Sequence, residues 1–259
     1  MSVRLSVKQI NQTAPQRVLC LNPMGCGSEI WISSMEQMSE QYEILLMDYP
    51  GFSSSEFLET QTVEELTQLV SHTLMQLPTK PLHMIGYSFG SWIAQNLVFD
   101  ERLDLRSLTV MGSSDRIYNQ GILMADEWEN IIRNMGIDSF LAQLAFWSFC
   151  TQTFEAGSFI LRSFVRGCKK SCKDPEVFLN QLQMVKSYQQ GVPLSEIKVP
   201  TLIIRGEFDC LYPAFCSELL HKEIPNSQLC TVPRAGHAAL WENPSFVSKE
   251  IEQFVQVNG

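Results

Sequence analysis

The chain has 259 residues, 45% hydrophobic and 18% charged, which suits one large core of two or three layers and leaves little room for disorder away from the ends. Its 19 lysines and arginines stand against 28 acidic residues, a formal charge of −9, and no basic stripe could follow a phosphate backbone, which argues against nucleic acid as a partner. No apolar run reaches membrane-spanning length, and residues 1–16 lack the basic start and apolar stretch of a secretory signal, so a cytoplasmic protein is expected.

Residues 3–10 alternate weakly and predict an antiparallel edge strand. Apolar runs at 17–21, 44–47, 82–85 and 108–111 end in turn residues, and helical patterns follow most of them. Such alternation predicts a mainly parallel sheet covered by helices on both faces, with two further strands at 200–205 and 228–232. Thr62-Val63-Glu64-Glu65 has the spacing of a capping box, and Leu66, Leu69, Val70 and Leu77 give the next helix one buried side. Near the end, Asn243-Pro244 opens a last helix with Val247, Ile251 and Phe254 on one side.

From 115 to 193 the rhythm changes. Helical patterns at 126–135, 137–149, 156–167 and 175–189 follow one another with no strand between them, which predicts a helical cap inserted into the sheet. The expected division is core 1–114, cap 115–193 and core 194–259. The cap is rich in aromatic residues. Trp128, Phe146 and Trp147 are assigned to an apolar substrate pocket, and the rest to packing against the core. Arg162, Arg166, Lys169, Lys170 and Lys173 read as a solvated helix face. A chain of this size does not need disulfides, so its eight cysteines are expected to be reduced, and Cys168 and Cys172 have no second pair or histidine nearby that would make a zinc site.

Gly86-Tyr87-Ser88-Phe89-Gly90 lies between the strand at 82–85 and an apolar helical pattern at 92–99. A serine at the centre of such a strand-turn-helix is held in a strained conformation, and the flanking glycines let the two backbones approach. Its hydroxyl needs a base, and the base needs a third group to fix its tautomer. His72 lies within a helix, His83 within a strand and His221 on an exposed helical face, whereas His237 sits in the loop after the last strand. Asp209, just beyond the strand at 200–205, is the acid expected from chain order, with Glu207 and Asp115 as competitors. Two backbone N–H groups are expected to bind the oxyanion: that of Phe89, at the helix start, and that of Met24, because Pro23 has none.

These features resemble the α/β-hydrolase superfamily, particularly its compact capped esterases, enol-lactonases and carbon-carbon hydrolases. The resemblance implies an α/β fold with Ser88, Asp209 and His237 at the family's serine, acid and histidine positions. The oxyanion loop, commonly His-Gly-x-Gly, falls on Asn22-Pro23-Met24-Gly25, and Asp48 to Ser55 is similar to another family turn. Proline at position 23 stiffens this loop. The implied reaction is hydrolysis of a carboxylic ester through an acyl-enzyme, on a small-molecule substrate with an acyl group, without cofactor or metal. Thioester hydrolysis on an acyl-carrier partner, lactone opening and carbon-carbon hydrolysis use the same machinery, and a ligand-binding role without catalysis is the non-enzymatic alternative.

Overall fold

The computed structural model describes residues 5–157 and 159–259. Val3 and Arg4 of the expected edge strand, and Ser158 of the expected third cap helix, lie outside the described residues. The apolar runs form β1 (Ser6–Ile10), β2 (Arg17–Leu21), β3 (Glu43–Asp48), β4 (Leu82–Tyr87), β5 (Leu105–Met111), β6 (Thr201–Gly206) and β7 (Ser227–Val232). They join in one sheet of order β1-β3-β2-β4-β5-β6-β7. β1 runs antiparallel to β3, with Val7 opposite Met47, and every other neighbouring pair is parallel.

β2, β3 and β4 are buried along their whole length, as parallel strands covered on both faces must be. Successive side chains leave opposite faces of a strand. Leu19, Leu45 and Met84 therefore enter one apolar layer with Val70 and Trp92, while their neighbours Val18, Ile44 and Ile85 enter another with Trp31, Val247 and Ile251.

Helices α1 (Val63–Leu74) and α2 (Phe89–Leu97) follow β3 and β4. Thr62 caps α1 by accepting the Glu65 N–H at 3.2 Å, and Glu65 reaches back to accept the Gln61 N–H at 2.7 Å, one residue further out than in a standard capping box. Among the described residues five α-helices then stand between β5 and β6: α3 (Asn119–Met135), α4 (Ile137–Ser148), α5 (Thr151–Glu155), α6 (Phe159–Ser171) and α7 (Pro175–Ser187). The chain ends with α8 (Ala214–Glu223), α9 (Ala239–Glu242) and α10 (Pro244–Val257).

The inserted cap differs from expectation in three places. α3 begins at Asn119, not at 126, behind a Tyr118 cap whose side chain makes no capping hydrogen bond to the helix and so leaves no capping marker in the sequence. α5 was not expected, and α6 starts and ends later than 156–167. α7 does begin where Asp174-Pro175 indicates, with the Asp174 carboxylate accepting the Glu176 N–H at 3.0 Å. A file of edge-to-face rings ties the cap to the core: Phe52, Phe178, Phe140 and Trp128, with successive centroids 5.8, 5.7 and 5.7 Å apart.

Candidate active site

Ser88 connects β4 to α2 with φ 53° and ψ −118°, a left-sided backbone conformation that L-residues avoid unless their surroundings enforce it. Here the surroundings do. A Cβ on Gly86 would lie 2.6 Å from the Gly90 carbonyl oxygen, and one on Gly90 would lie 2.4 Å from that of Leu21. The Ser88 N–H donates to the Met111 carbonyl at 2.7 Å, and the Ser91 hydroxyl donates to that of Gly86 at 2.7 Å. The turn is thus fixed by backbone contacts and by the Ser91 hydroxyl.

His237 enters from the loop after β7, with Nε2 2.9 Å from the Ser88 hydroxyl and Nδ1 3.0 Å from Asp209 Oδ2. The other Asp209 oxygen accepts the N–H groups of Leu211 and Tyr212, each at 2.9 Å. A carboxylate facing Nδ1 holds the imidazole proton there and leaves Nε2 free to accept from Ser88. Asp115 makes no such contact: its carboxylate accepts the Tyr118 hydroxyl at 2.7 Å and lies beside Arg116. Glu207 is likewise engaged elsewhere, accepting the Arg234 N–H at 2.8 Å.

The other histidines are distant from this chain of contacts. His83 is buried against the Ser107 hydroxyl at 2.7 Å, and burial, helped by Arg106, lowers it to about 4. His221 bonds to Ser227, and His72 is exposed on α1.

Above Ser88 and His237 lies a cavity of about 110 Å³ whose walls include Met24, Phe89, Trp128, Leu144, Trp147 and Tyr212. That is the scale of a pocket for one short apolar group, since a cavity of about 150 Å³ holds benzene. Two of the three expected pocket aromatics, Trp128 and Trp147, are on its wall. Phe146 is not. It is 60% exposed and packs beside Phe154 on the outer surface of the cap, ring centroids 5.8 Å apart. Consecutive residues on a helix point about 100° apart, and α4 gives the inward direction to Trp147.

Residues 18–250 match the sequence model of the alpha/beta hydrolase family. The chain belongs to that family. A pimeloyl-[acyl-carrier protein] methyl ester esterase of Pectobacterium atrosepticum is 22% identical over 250 residues, covering 92% of this chain and 94% of the relative. Among solved structures, a thermophilic esterase from Thermogutta terrifontis superposes with a TM-score of 0.84 at 18% identity, over 98% of this chain and 94% of its own. The enol-lactonase from Burkholderia xenovorans superposes at 0.85 and 16% identity, over 99% of each chain.

Several groups that shape this alpha/beta hydrolase site carried no mark in the sequence. The Tyr87 hydroxyl donates to the His237 carbonyl at 2.5 Å, and the rings of Tyr87 and Tyr212 lie 5.7 and 5.4 Å from the imidazole. Burial pushes both phenols far up, so they stay protonated. Glu242 accepts the N–H groups of Gly236 at 2.6 Å and Cys150 at 2.8 Å, joining the histidine loop to the cap. Gln181 of α7 accepts the Gly25 N–H at 2.8 Å. Asn22, where the family commonly has histidine, is buried and spent on structure: its amide donates to the Met47 carbonyl at 2.8 Å and its oxygen accepts the Trp31 indole N–H at 3.0 Å.

Proposed function

We propose that this alpha/beta hydrolase cleaves carboxylic esters with a short apolar acyl group through a serine acyl-enzyme. His237 takes the Ser88 proton as the hydroxyl oxygen attacks the ester carbonyl, and Asp209 steadies the imidazolium that forms. The oxyanion is received by the N–H groups of Met24 and Phe89. Phe89 is the first residue of α2, so no carbonyl within the helix claims its N–H. His237 returns its proton to the leaving alkoxide, then activates a water that attacks the acyl carbonyl and releases Ser88. The observation that carries this reading is the unbroken run of contacts from Ser88 through His237 to Asp209, opening into the apolar cavity lined by Trp128 and Trp147.

The reading is tested with p-nitrophenyl esters from acetate to decanoate. Turnover that peaks at short chains, with an acyl adduct on Ser88 found by mass spectrometry after rapid quench, is the expected result. Turnover that persists undiminished in Ser88→Ala overturns it. A second form of the substrate, an acyl group presented on a carrier protein, draws support from the printed name of the Pectobacterium relative, whose ester is carrier-bound.

A further inference from the structure

The two proposed oxyanion donors are held by different parts of the molecule. Phe89 is the buried first residue of α2, which follows β4 in the core. Met24 lies in the loop after β2, and the residues immediately following it are fastened to the cap. Gly25 donates its N–H to Gln181 on α7 at 2.8 Å, and a Cβ on Gly25 would touch Phe178 and Leu144 at 3.4 and 3.5 Å. The Cys26 thiol lies 3.5 Å from that of Cys168 on α6. A Cβ on Gly27 would lie 2.6 Å from the Ser171 hydroxyl, and that hydroxyl donates to the carboxylate of Glu29.

Gln181 stands out among these contacts. It is 2% exposed, and while its Oε1 accepts from Gly25, its Nε2 is buried with no partner among the described residues. Burying an amide donor without a partner is unfavourable, and a methionine or leucine at this position would pack without that cost. The acceptor is therefore the reason for an amide here. Proline fixes its own φ, so Pro23 restrains the chain on one side of Met24. On the other side, holding the Gly25 N–H sets the plane of the peptide that follows Met24 and with it the Met24 ψ. The Met24 N–H thus sits between a residue locked covalently and a peptide locked by the cap.

We infer that Gln181 is a positioning residue for the oxyanion loop, so that the cap governs the rate of the chemical step as well as the choice of substrate. The inference rests on the serine-hydrolase reading above, and deepens it. A hydrogen-bond donor displaced by a fraction of an ångström fails selectively in the transition state, where the oxygen carries full charge, and leaves ground-state binding nearly untouched.

The experiment compares the full-length parent with Gln181→Met, Gln181→Glu and Ser88→Ala. Steady-state turnover of p-nitrophenyl butyrate, the rate of phosphonylation by a fluorophosphonate, the melting temperature and hydrogen exchange at the Gly25 amide are measured for each. Gln181→Met is expected to fold, to lose about 10-fold to 100-fold in kcat with KM changed by less than about twofold, and to be phosphonylated more slowly in proportion. Its Gly25 amide exchanges at least about tenfold faster. Gln181→Glu keeps an acceptor oxygen for the Gly25 N–H but puts a second carboxyl oxygen, charged when ionised, in place of the unpartnered NH₂ at a buried site, so its melting temperature is expected to fall while its kcat stays above that of the methionine variant. Gln181→Asn, an amide one methylene too short to reach Gly25, is expected to behave like the methionine variant and carries the test if that variant does not fold. Parental kcat in the methionine variant, a loss confined to KM, a glutamate variant as slow as the methionine one, or unchanged Gly25 exchange each overturns the positioning role alone. An active Ser88→Ala protein overturns the hydrolase reading beneath it.

Discussion

The turn that carries Ser88 is fixed mainly by backbone pressed against backbone, whereas the cap above it is fixed mainly by side chains, with a few peptide hydrogen bonds such as Ala238 N–H to Ser148 and Ser53 N–H to Ser171. Around Ser88 the decisive contacts are those that forbid a Cβ at Gly86 and Gly90 and the hydrogen bond from the Ser88 N–H to the Met111 carbonyl. In the cap they are a file of rings from Phe52 to Trp128, the carboxylate of Glu242, and the amide of Gln181. Backbone contacts tolerate almost no substitution and leave one geometry. Side-chain contacts can be exchanged one at a time, so the cap is where the molecule can alter its pocket without disturbing the Ser88 turn.

The sharpest test of that contrast is chemical. Ser88→Ala removes the hydroxyl but keeps both glycines, so the fold is expected to survive with the melting temperature within a few degrees. Turnover should fall by at least about 10⁴-fold, and His237→Ala combined with it should add little, because the three groups act as a unit. Asp209→Asn is expected to lose about 10⁴-fold through the wrong imidazole tautomer, while Asp115→Asn, whose partner is Tyr118, stays near the parent. Steady-state kinetics on one ester decides all four, and an Asp115 variant slower than the Asp209 variant would break the assignment.

Within the cap, two aromatics separate packing from specificity. Phe140 is wholly buried between Trp128 and Phe178, and its replacement by alanine should cost about 3 to 5 kcal/mol by urea unfolding. Trp147 is 38% exposed on the cavity wall, and Trp147→Ala should shift the preferred ester toward longer chains with a stability loss below about 1.5 kcal/mol. Phe146→Ala, on the outer surface, should do neither. A changed chain-length ranking in the Phe146 variant would return that residue to the pocket.

How much of this was legible in the sequence follows the same division. The strands announced themselves as short apolar runs because both sheet faces are covered, and the serine turn did so because only glycine fits at positions 86 and 90. The order of Ser88, Asp209 and His237 along the chain placed all three at the ends of parallel strands. The cap was legible as helix but not in detail. Tyr118 precedes α3 without a side-chain capping bond to it, and neighbouring aromatics on α4 look alike until the helix is oriented against a core. Gln181 falls on an expected helix and Glu242 just before one, and neither carries a local mark. Gln181 meets Gly25 and Glu242 meets Cys150, peptides far away in sequence, and no local pattern encodes such a meeting.

Backbone crowding gives a stability prediction at Gly90. A Cβ there would meet the Leu21 carbonyl oxygen at 2.4 Å and carbon at 2.6 Å, both backbone atoms that cannot rotate away. Gly90→Ala is expected to cost about 3 kcal/mol or more and to distort the Ser88 turn, so activity and melting temperature fall together. Parental stability would show that β2 can yield, and that the turn is less rigid than its contacts imply.

The core also contains a group that makes it sensitive to acid. Burial holds His83 at about 4, well below the roughly 6.5 of an unfolded histidine. Between those values the unfolded chain binds the proton and the folded one does not, so stability rises with pH across the window. The contribution is fully present above about pH 6.5 and is lost progressively as pH falls toward 4. His83→Gln should flatten this part of the stability profile measured by urea unfolding, and an unaltered slope between pH 4 and 6.5 would assign the acid sensitivity to other groups.

The smallest expected effect has the opposite sign and belongs to the cap. Gly167 lies within α6, and a Cβ built on it meets nothing within 4 Å. A glycine inside a helix carries extra conformational freedom in the unfolded chain, and alanine removes that freedom without asking any neighbour to move. Gly167→Ala should therefore stabilise the protein by about 0.5 to 1 kcal/mol, a rise of a few degrees or less in melting temperature. The same glycine-to-alanine change made at position 90 is expected to unfold the site. If position 167 proved destabilising instead, α6 would need its glycine for a close approach to a partner, and the cap would share the backbone-limited character of the turn beneath it.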